Sequence, residues 1–200
     1  MPPRRFRIPA IALTLTGVLA ACGSDDTSAP AAAPTDAAVT STVDVALNEA
    51  DIEFAQGMIA HHEQAVEMAE IALDPNVGAG AAVVDLATRI QAAQAPEIDQ
   101  MTAWLTAAGE PVTMDMSDGH DMSDMDGMMS ADEMDALAAA TGTEFDTMWA
   151  EMMIEHHKGA ISQSETVKAN GSNPDVFALA DQIVTVQQAE IAEMQQLLGA

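Results

Sequence analysis

Apolar residues recur every third or fourth position from Ile52 to Leu73 and again from Leu86 to Leu105, the spacing of one buried helix face. The same spacing returns between Trp149 and Val167 and between Leu179 and Leu198. These stretches are related to one another. Residues 51–73 read DIEFAQGMIAHHEQAVEMAEIAL and residues 146–168 read DTMWAEMMIEHHKGAISQSETVK. At a constant offset of 95, Asp51 aligns with Asp146, Phe54 with Trp149, Ala55 with Ala150, Met58 with Met153, Ile59 with Ile154, His61-His62 with His156-His157 and Ala65 with Ala160. At an offset of 93, Leu86, Ile90, Gln94, Glu97, Ile98, Met101 and Leu105 recur as Leu179, Ile183, Gln187, Glu190, Ile191, Met194 and Leu198. The pattern therefore predicts one helix–turn–helix unit, present twice.

Turn signals fall where that reading needs them. Asp74-Pro75-Asn76 separates the first two helices and Asn170-Gly171-Ser172-Asn173-Pro174 the second two. Gly109 is placed to end the second helix, and Pro96 is expected to kink or distort it. The connection from Glu110 to about Thr143 has room for a short helix near Ala131 to Ala140. Two helix hairpins present four apolar stripes, and a four-helix bundle buries them. The expected fold class is all-α. The repeat units are bounded at 44–109 and 143–200, with a Met/Asp-rich connection at 110–142.

Composition agrees. Aromatics are 3 % of the chain and Tyr is absent, so the core is built of Ala, Leu, Ile, Val and Met, which suits helices better than sheets. Charge adds a constraint. Beyond the first 22 residues only Arg89, Lys158 and Lys168 are basic, against 32 acidic residues in the chain. Such a surface repels phosphate backbones, which argues against nucleic acid as a partner, and attracts cations. Acidity also serves plain solubility.

The first 21 residues read as an export signal. Arg4, Arg5 and Arg7 form a positive start, and Ile8 to Ala20 is an apolar stretch too short for a good membrane span. Leu19-Ala20-Ala21-Cys22 resembles a bacterial lipobox, which makes Cys22, the only Cys, the expected lipid-anchor residue. Residues 22–43, rich in Ser, Thr, Asp, Ala and Pro, are expected to be a disordered tether. The expected location is outside the cytoplasmic membrane, on its outer face or in the cell envelope.

Two clusters carry candidate chemistry. On a helical wheel Phe54, Met58, His61, His62 and Ala65 share one face, while Glu63, Glu67 and Glu70 lie opposite. Trp149, Met153, His156, His157 and Ala160 repeat the arrangement. Inward imidazoles need partners, and a metal is one. Met58 and Met153 stand one turn before His62 and His157, and thioether beside imidazole suits copper, Cu(I) above all, better than Mg or Ca. The competing reading is a polar core in which the His pairs hydrogen-bond one another. The second cluster is residues 114–129, MDMSDGHDMSDMDGMM, with Met114, Met116, Met122, Met125, Met128 and Met129 around His120. Exposed thioethers add no stability and oxidise readily, so this loop reads as a soft-metal catch. A Met-rich contact surface or an oxidant sink are its alternatives.

The segments MIAHHEQAVEMA and MIEHHKGAISQS, each followed by a Glu-Ile-X-X-Met helix, resemble the DUF305 family over about residues 44–199. The resemblance implies a ferritin-like fold and, as in some exported members, copper binding linked to copper resistance. It carries over to Met58, His61 and His62 and to Met153, His156 and His157. Gln163 and Ser164 stand where the first copy has Met68 and Ala69, so if Met68 is a ligand the two copies differ.

Three functions remain open on these grounds. The first is an envelope-anchored copper buffer or chaperone, with a copper ion as its cargo and a copper-handling envelope protein as a partner. The second is a structural or partner-binding helical envelope module with no metal. The third is a di-iron oxidase, disfavoured because Met58, Ile59, Met153 and Ile154 occupy the positions where a Glu-X-X-His motif would need Glu. No nucleophile triad or phosphate loop is evident, so the expectation is a protein that is not an enzyme and has no organic cofactor.

Overall fold

The computed structural model describes residues 46–114 and 125–199. Cys22, the export segment, the tether, Met116, His120 and Met122 lie outside the described residues. Within them the chain is all-α, in five helices: α1 Glu49–Leu73, α2 Ala81–Ala108, α3 Ala131–Ala139, α4 Gly142–Asn170 and α5 Pro174–Leu197. The short helix expected in the connection is α3. It begins at a capping box in which the Ser130 side chain accepts from the Glu133 backbone and Glu133 from that of Ser130.

Each helix stops for a local reason. Gly109 ends α2 in the left-handed region at φ 76°, its N–H turned back to the Leu105 and Thr106 carbonyls. Asn173 caps α5 by accepting from the Asp175 and Val176 amides, with Pro174 in the first turn, where a missing N–H costs nothing. Helix α2 stays helical across Pro96, whose ring removes one backbone donor from the exposed face.

Helices α1 and α2 pack as one hairpin and α4 and α5 as the other. The hairpins meet mainly through α1 and α4, with a smaller contact between α2 and α5, and α3 rests on α4. The apolar core divides in two. One cluster takes Ala65–Ala72 of α1, Val83–Ile90 of α2, Phe145–Ile154 of α4, Met194 of α5 and two residues of α3. The other takes Phe54–Ile59 of α1, Met101–Leu105 of α2, Ala160 and Val167 of α4, and Val176–Ile183 of α5. Chain order through the clusters makes α1 antiparallel to α2 and to α4, and α4 antiparallel to α5. Trp149 ties α1 to α4 inside the first cluster by donating its indole N–H to the Met68 carbonyl at 3.0 Å.

The repeat also closes itself reciprocally. The fully buried Asp51 carboxylate caps α1 by accepting the Asn48 N–H at 3.0 Å. It also accepts from the Ser172 N–H and hydroxyl and from the Asn173 N–H, in the turn of the other hairpin. Its counterpart Asp146, at the start of α4, accepts the Gly80 N–H at 2.8 Å in the turn of the first hairpin. Each hairpin thus clamps the other's turn.

The clamps differ in burial, and so in expected cost. Asp51→Ala leaves several donors without their charged acceptor and is expected to lower stability by about 2–4 kcal/mol; Asp146→Ala, half-buried with a single bond, by about 1 kcal/mol. Urea unfolding of the two variants checks the order, and equal losses would refute it.

Candidate metal centre

Between the two apolar clusters lies a polar layer. On α1 it follows Ile59 and precedes Ala65; on α4 it follows Ile154 and precedes Ala160. Into it project His61, His62, His156 and His157, each with no exposed surface, as the inward wheel positions predicted. Helices α2 and α5 add Gln94, Glu97, Gln187 and Glu190, all buried.

The two His pairs meet. The His61 and His156 rings lie with centroids 3.7 Å apart and planes tilted by 42°. His156 and His157 are 6.4 Å apart by the same measure. The outer ring of each pair reaches a carboxylate: His62 Nε2 stands 2.8 Å from Glu97 Oε2, and His157 Nε2 stands 2.8 Å from Glu190 Oε2. Glu97 also accepts from Gln182 Nε2 at 2.9 Å. A carboxylate only accepts, so Nε2 of His62 and of His157 donates to it. Among the described residues, Nδ1 of His62 and of His157 has no hydrogen-bond partner of ordinary geometry, nor has either nitrogen of His61 or of His156, although the Asp126 backbone lies close to the His61 ring and the His61 backbone close to the His156 ring.

Burial fixes the charge state of the inner pair. Loss of hydration, then the neighbouring His62 and His157, lower His61 to about 3, slightly opposed by the backbone of Asp126 close to the ring. Burial likewise lowers His156 well below 6.5, with His61, His157 and His62 adding to it. Both rings are neutral at pH 7, the form that ligates a metal.

The methionines divide by place. Met58 and Met153 are fully buried at the edges of the layer, one in each apolar cluster. Met68 packs in the cluster of Trp149 and lies two turns beyond His61, roughly 10 Å along the helix axis. Met114 and Met125 approach each other over Gly57: a Cβ there would lie 3.8 Å from the Met114 sulfur and 3.3 Å from the Met125 methyl. Met128 is half-buried. Met129 corrects the expectation that this segment contributes nothing to the core, for it packs against the first apolar cluster. Two hydrogen bonds from Gln64 hold its backbone there.

Sequence reasoning did not assign Glu97 and Glu190 to the site. The signal was present, since both recur at the same place in an otherwise apolar row, Ile90-Gln94-Glu97-Met101 and Ile183-Gln187-Glu190-Met194. Gln182 had no such signal; its counterpart is Arg89, which pairs on the surface with Asp85 and Glu193.

The donor set fits a soft metal. Carboxylate–imidazole pairs that leave the second ring nitrogen free are how metal-binding histidines are commonly oriented. Among the described residues no three His, Cys, Asp or Glu side chains stand together closely enough to hold an ion.

Residues 51–198 match the family model described as a domain of unknown function, DUF305. Comparison with curated proteins finds no match. Among solved structures, a DUF305 protein from Streptomyces coelicolor is 29 % identical, covering 75 % of this chain and 92 % of that one with a TM-score of 0.67. A DUF305 fragment from Deinococcus radiodurans is 31 % identical, with coverages of 76 % and 97 % and a TM-score of 0.67. CopM in its Cu(II)-bound form is 33 % identical, with coverages of 74 % and 94 % and a TM-score of 0.61. CopM has also been solved with Cu(I) and with Ag bound. On these matches, the chain belongs to the DUF305 family.

Proposed function

We propose that this protein binds copper at its buried histidines and serves as an envelope-anchored copper buffer or chaperone. The observation that carries the reading is the set of unpartnered nitrogens: both of His61, both of His156, and Nδ1 of His62 and of His157. An apolar residue would fill each place at lower cost, so imidazoles with free lone pairs point to a ligand. The binding of copper and silver by CopM supports the same reading. Inner imidazoles with Met58 and Met153 make a donor set for Cu(I), and a metal there would draw the layer's polar atoms into use. In this reading the four long helices are a ferritin-like bundle that holds the ion and catalyses no reaction. Residues 1–21 direct export, and Cys22 carries the lipid that tethers the domain to the membrane. Among the described residues no helix is long and apolar enough to cross a membrane, so attachment rests on that anchor.

The hydrogen bonds of His62 and His157 favour a second reading, a polar core that fixes helix register for a protein partner. The two readings differ over the inner pair. Replacing His61 and His156 together by Leu is expected to abolish tight Cu(I) uptake, measured by anaerobic titration against a competing chelator. The same variant should keep metal-free stability within about 1 kcal/mol or raise it, since no protein hydrogen bond is lost. His62→Leu strands Glu97 and is expected to cost about 3–5 kcal/mol. Unchanged copper uptake in the double variant would refute the copper reading, and a large loss of its stability would favour the structural one.

Acid is expected to destabilise the metal-free domain early. The unfolded chain protonates each inner imidazole near pH 6.5, whereas folded His61 resists until about pH 3. The unfolded state therefore binds more protons, and stability is lost as the pH falls below about 6.5, by up to about 1.4 kcal/mol per unit for each such ring. Thermal melts between about pH 7 and pH 5, above most carboxylate titration, read this directly. The slope should flatten in the double Leu variant, and a flat wild-type profile would mean that the rings are not held neutral.

A further inference from the structure

The connection between the hairpins returns to the helices at Met125–Ser130, where it crosses the seam of α1 and α4. On α4 it lies backbone against backbone. A Cβ on Gly159 would stand 1.9 Å from the Asp126 carbonyl oxygen and 2.8 Å from the Gly127 Cα. Gly127 itself has φ 82°, and a Cβ there would meet the Glu155 carbonyl oxygen at 2.7 Å. On α1 the hold is by hydrogen bonds. Gln64 Nε2 donates to the Met129 carbonyl at 2.8 Å, and its Oε1 accepts the Met129 N–H at 2.7 Å.

Gln64 and Gly159 are the same position of the repeat, 95 residues apart. One position thus supplies two unlike holds on a single strap of backbone. Each lies three residues beyond an inner imidazole, Gln64 after His61 and Gly159 after His156. At the Gly159 foot, the backbone of Asp126 also lies close to the His61 ring. One turn before His61, Gly57 leaves α1 bare under the Met114 and Met125 thioethers, with the Gln163 Oε1 3.3 Å from where its Cβ would be. The Gln163 amide nitrogen is buried there without a partner among the described residues. These groups wall an open cavity of about 430 Å³ that Glu53 and Asp126 also line.

We propose that this is the port by which a soft cation reaches the buried His61–His156 pair, and that the strap Met125–Ser130 closes it. Met114 and Met125 receive the ion over Gly57, and the feet at Gly159 and Gln64 hold the way inward shut until the strap lifts. That the ion is copper rests on the function proposed above; the route to the imidazoles does not.

Two glycine substitutions push access in opposite directions. Gly159→Ala favours the helix but cannot coexist with the docked strap, and Gly57→Leu fills the port beside flexible side-chain ends. Reaction of metal-free protein with diethyl pyrocarbonate, located by mass spectrometry, reads access to His61 and His156 without any metal. In Gly159→Ala that reaction is expected to be about tenfold faster, with loss of hydrogen-exchange protection at the Met129 amide. Cu(I) transfer from a coloured chelate, followed by stopped flow, is expected to be faster in Gly159→Ala and slower in Gly57→Leu. Should Gly159→Ala fail to fold, Gln64→Leu frees the other foot and is expected to act in the same direction. Unchanged imidazole reactivity in a variant whose Met129 amide exchanges freely would overturn the proposal, as would a Met129 amide still protected in Gly159→Ala. Reactivity that shifts as expected in a protein that takes up no copper would uphold the port and sink the copper reading, so the two are separable.

Discussion

A buried imidazole nitrogen without a partner costs about 1–3 kcal/mol, and among the described residues six of them gather in one layer. The rest of the architecture is arranged to tolerate that layer. Apolar clusters lie on both sides of it, each drawing on all four long helices. The outer rings are steadied by Glu97 and Glu190. Trp149 locks α1 to α4 within one cluster, and the turn clamps of Asp51 and Asp146 fix both ends. Stability is supplied at the periphery so that the middle can keep free lone pairs.

The layer also explains the acidic exterior in physical terms. The three basic residues of the described part, Arg89, Lys158 and Lys168, are each paired with a carboxylate on the surface. The remaining acids are left to set a negative field around a domain whose interior offers neutral ligands. In the proposed function a cation would be drawn by the field and discriminated by the interior, so attraction and selectivity would reside in different residues.

Much of this was legible in the sequence. The repeat offset gave two hairpins, and the wheel placed His61, His62, His156 and His157 inward, because both follow from helical periodicity alone. Whether the pairs met was not legible, since a wheel has no tertiary register; the antiparallel order of α1 and α4 brings His61 to His156. Glu97 and Glu190 could have been found by asking why acids recur in a buried row. Asp51 and Asp146 were seen as repeat markers, but their role is to hold the opposite turn, which no local pattern reveals. The contact of Met129 with the first apolar cluster was not legible, because its backbone is held there by Gln64 of α1 and not by neighbours in sequence.

The ring contact between His61 and His156 has one more consequence. The two occupy equivalent positions of the repeat, and a residue touches its own equivalent only at a two-fold axis. The exchanged clamps obey the same rule, Asp51 reaching the second turn and Asp146 the first. Such i-to-j and j-to-i pairing is the signature of an isologous homodimer. The chain has the form of such a dimer with its two hairpins joined, neither owning a complete core, about an axis of paired histidines. The segment Met125–Ser130 lies across the seam of α1 and α4 once, so the two halves, alike in their His pairs and clamps, are unequal at Gln64 and Gly159.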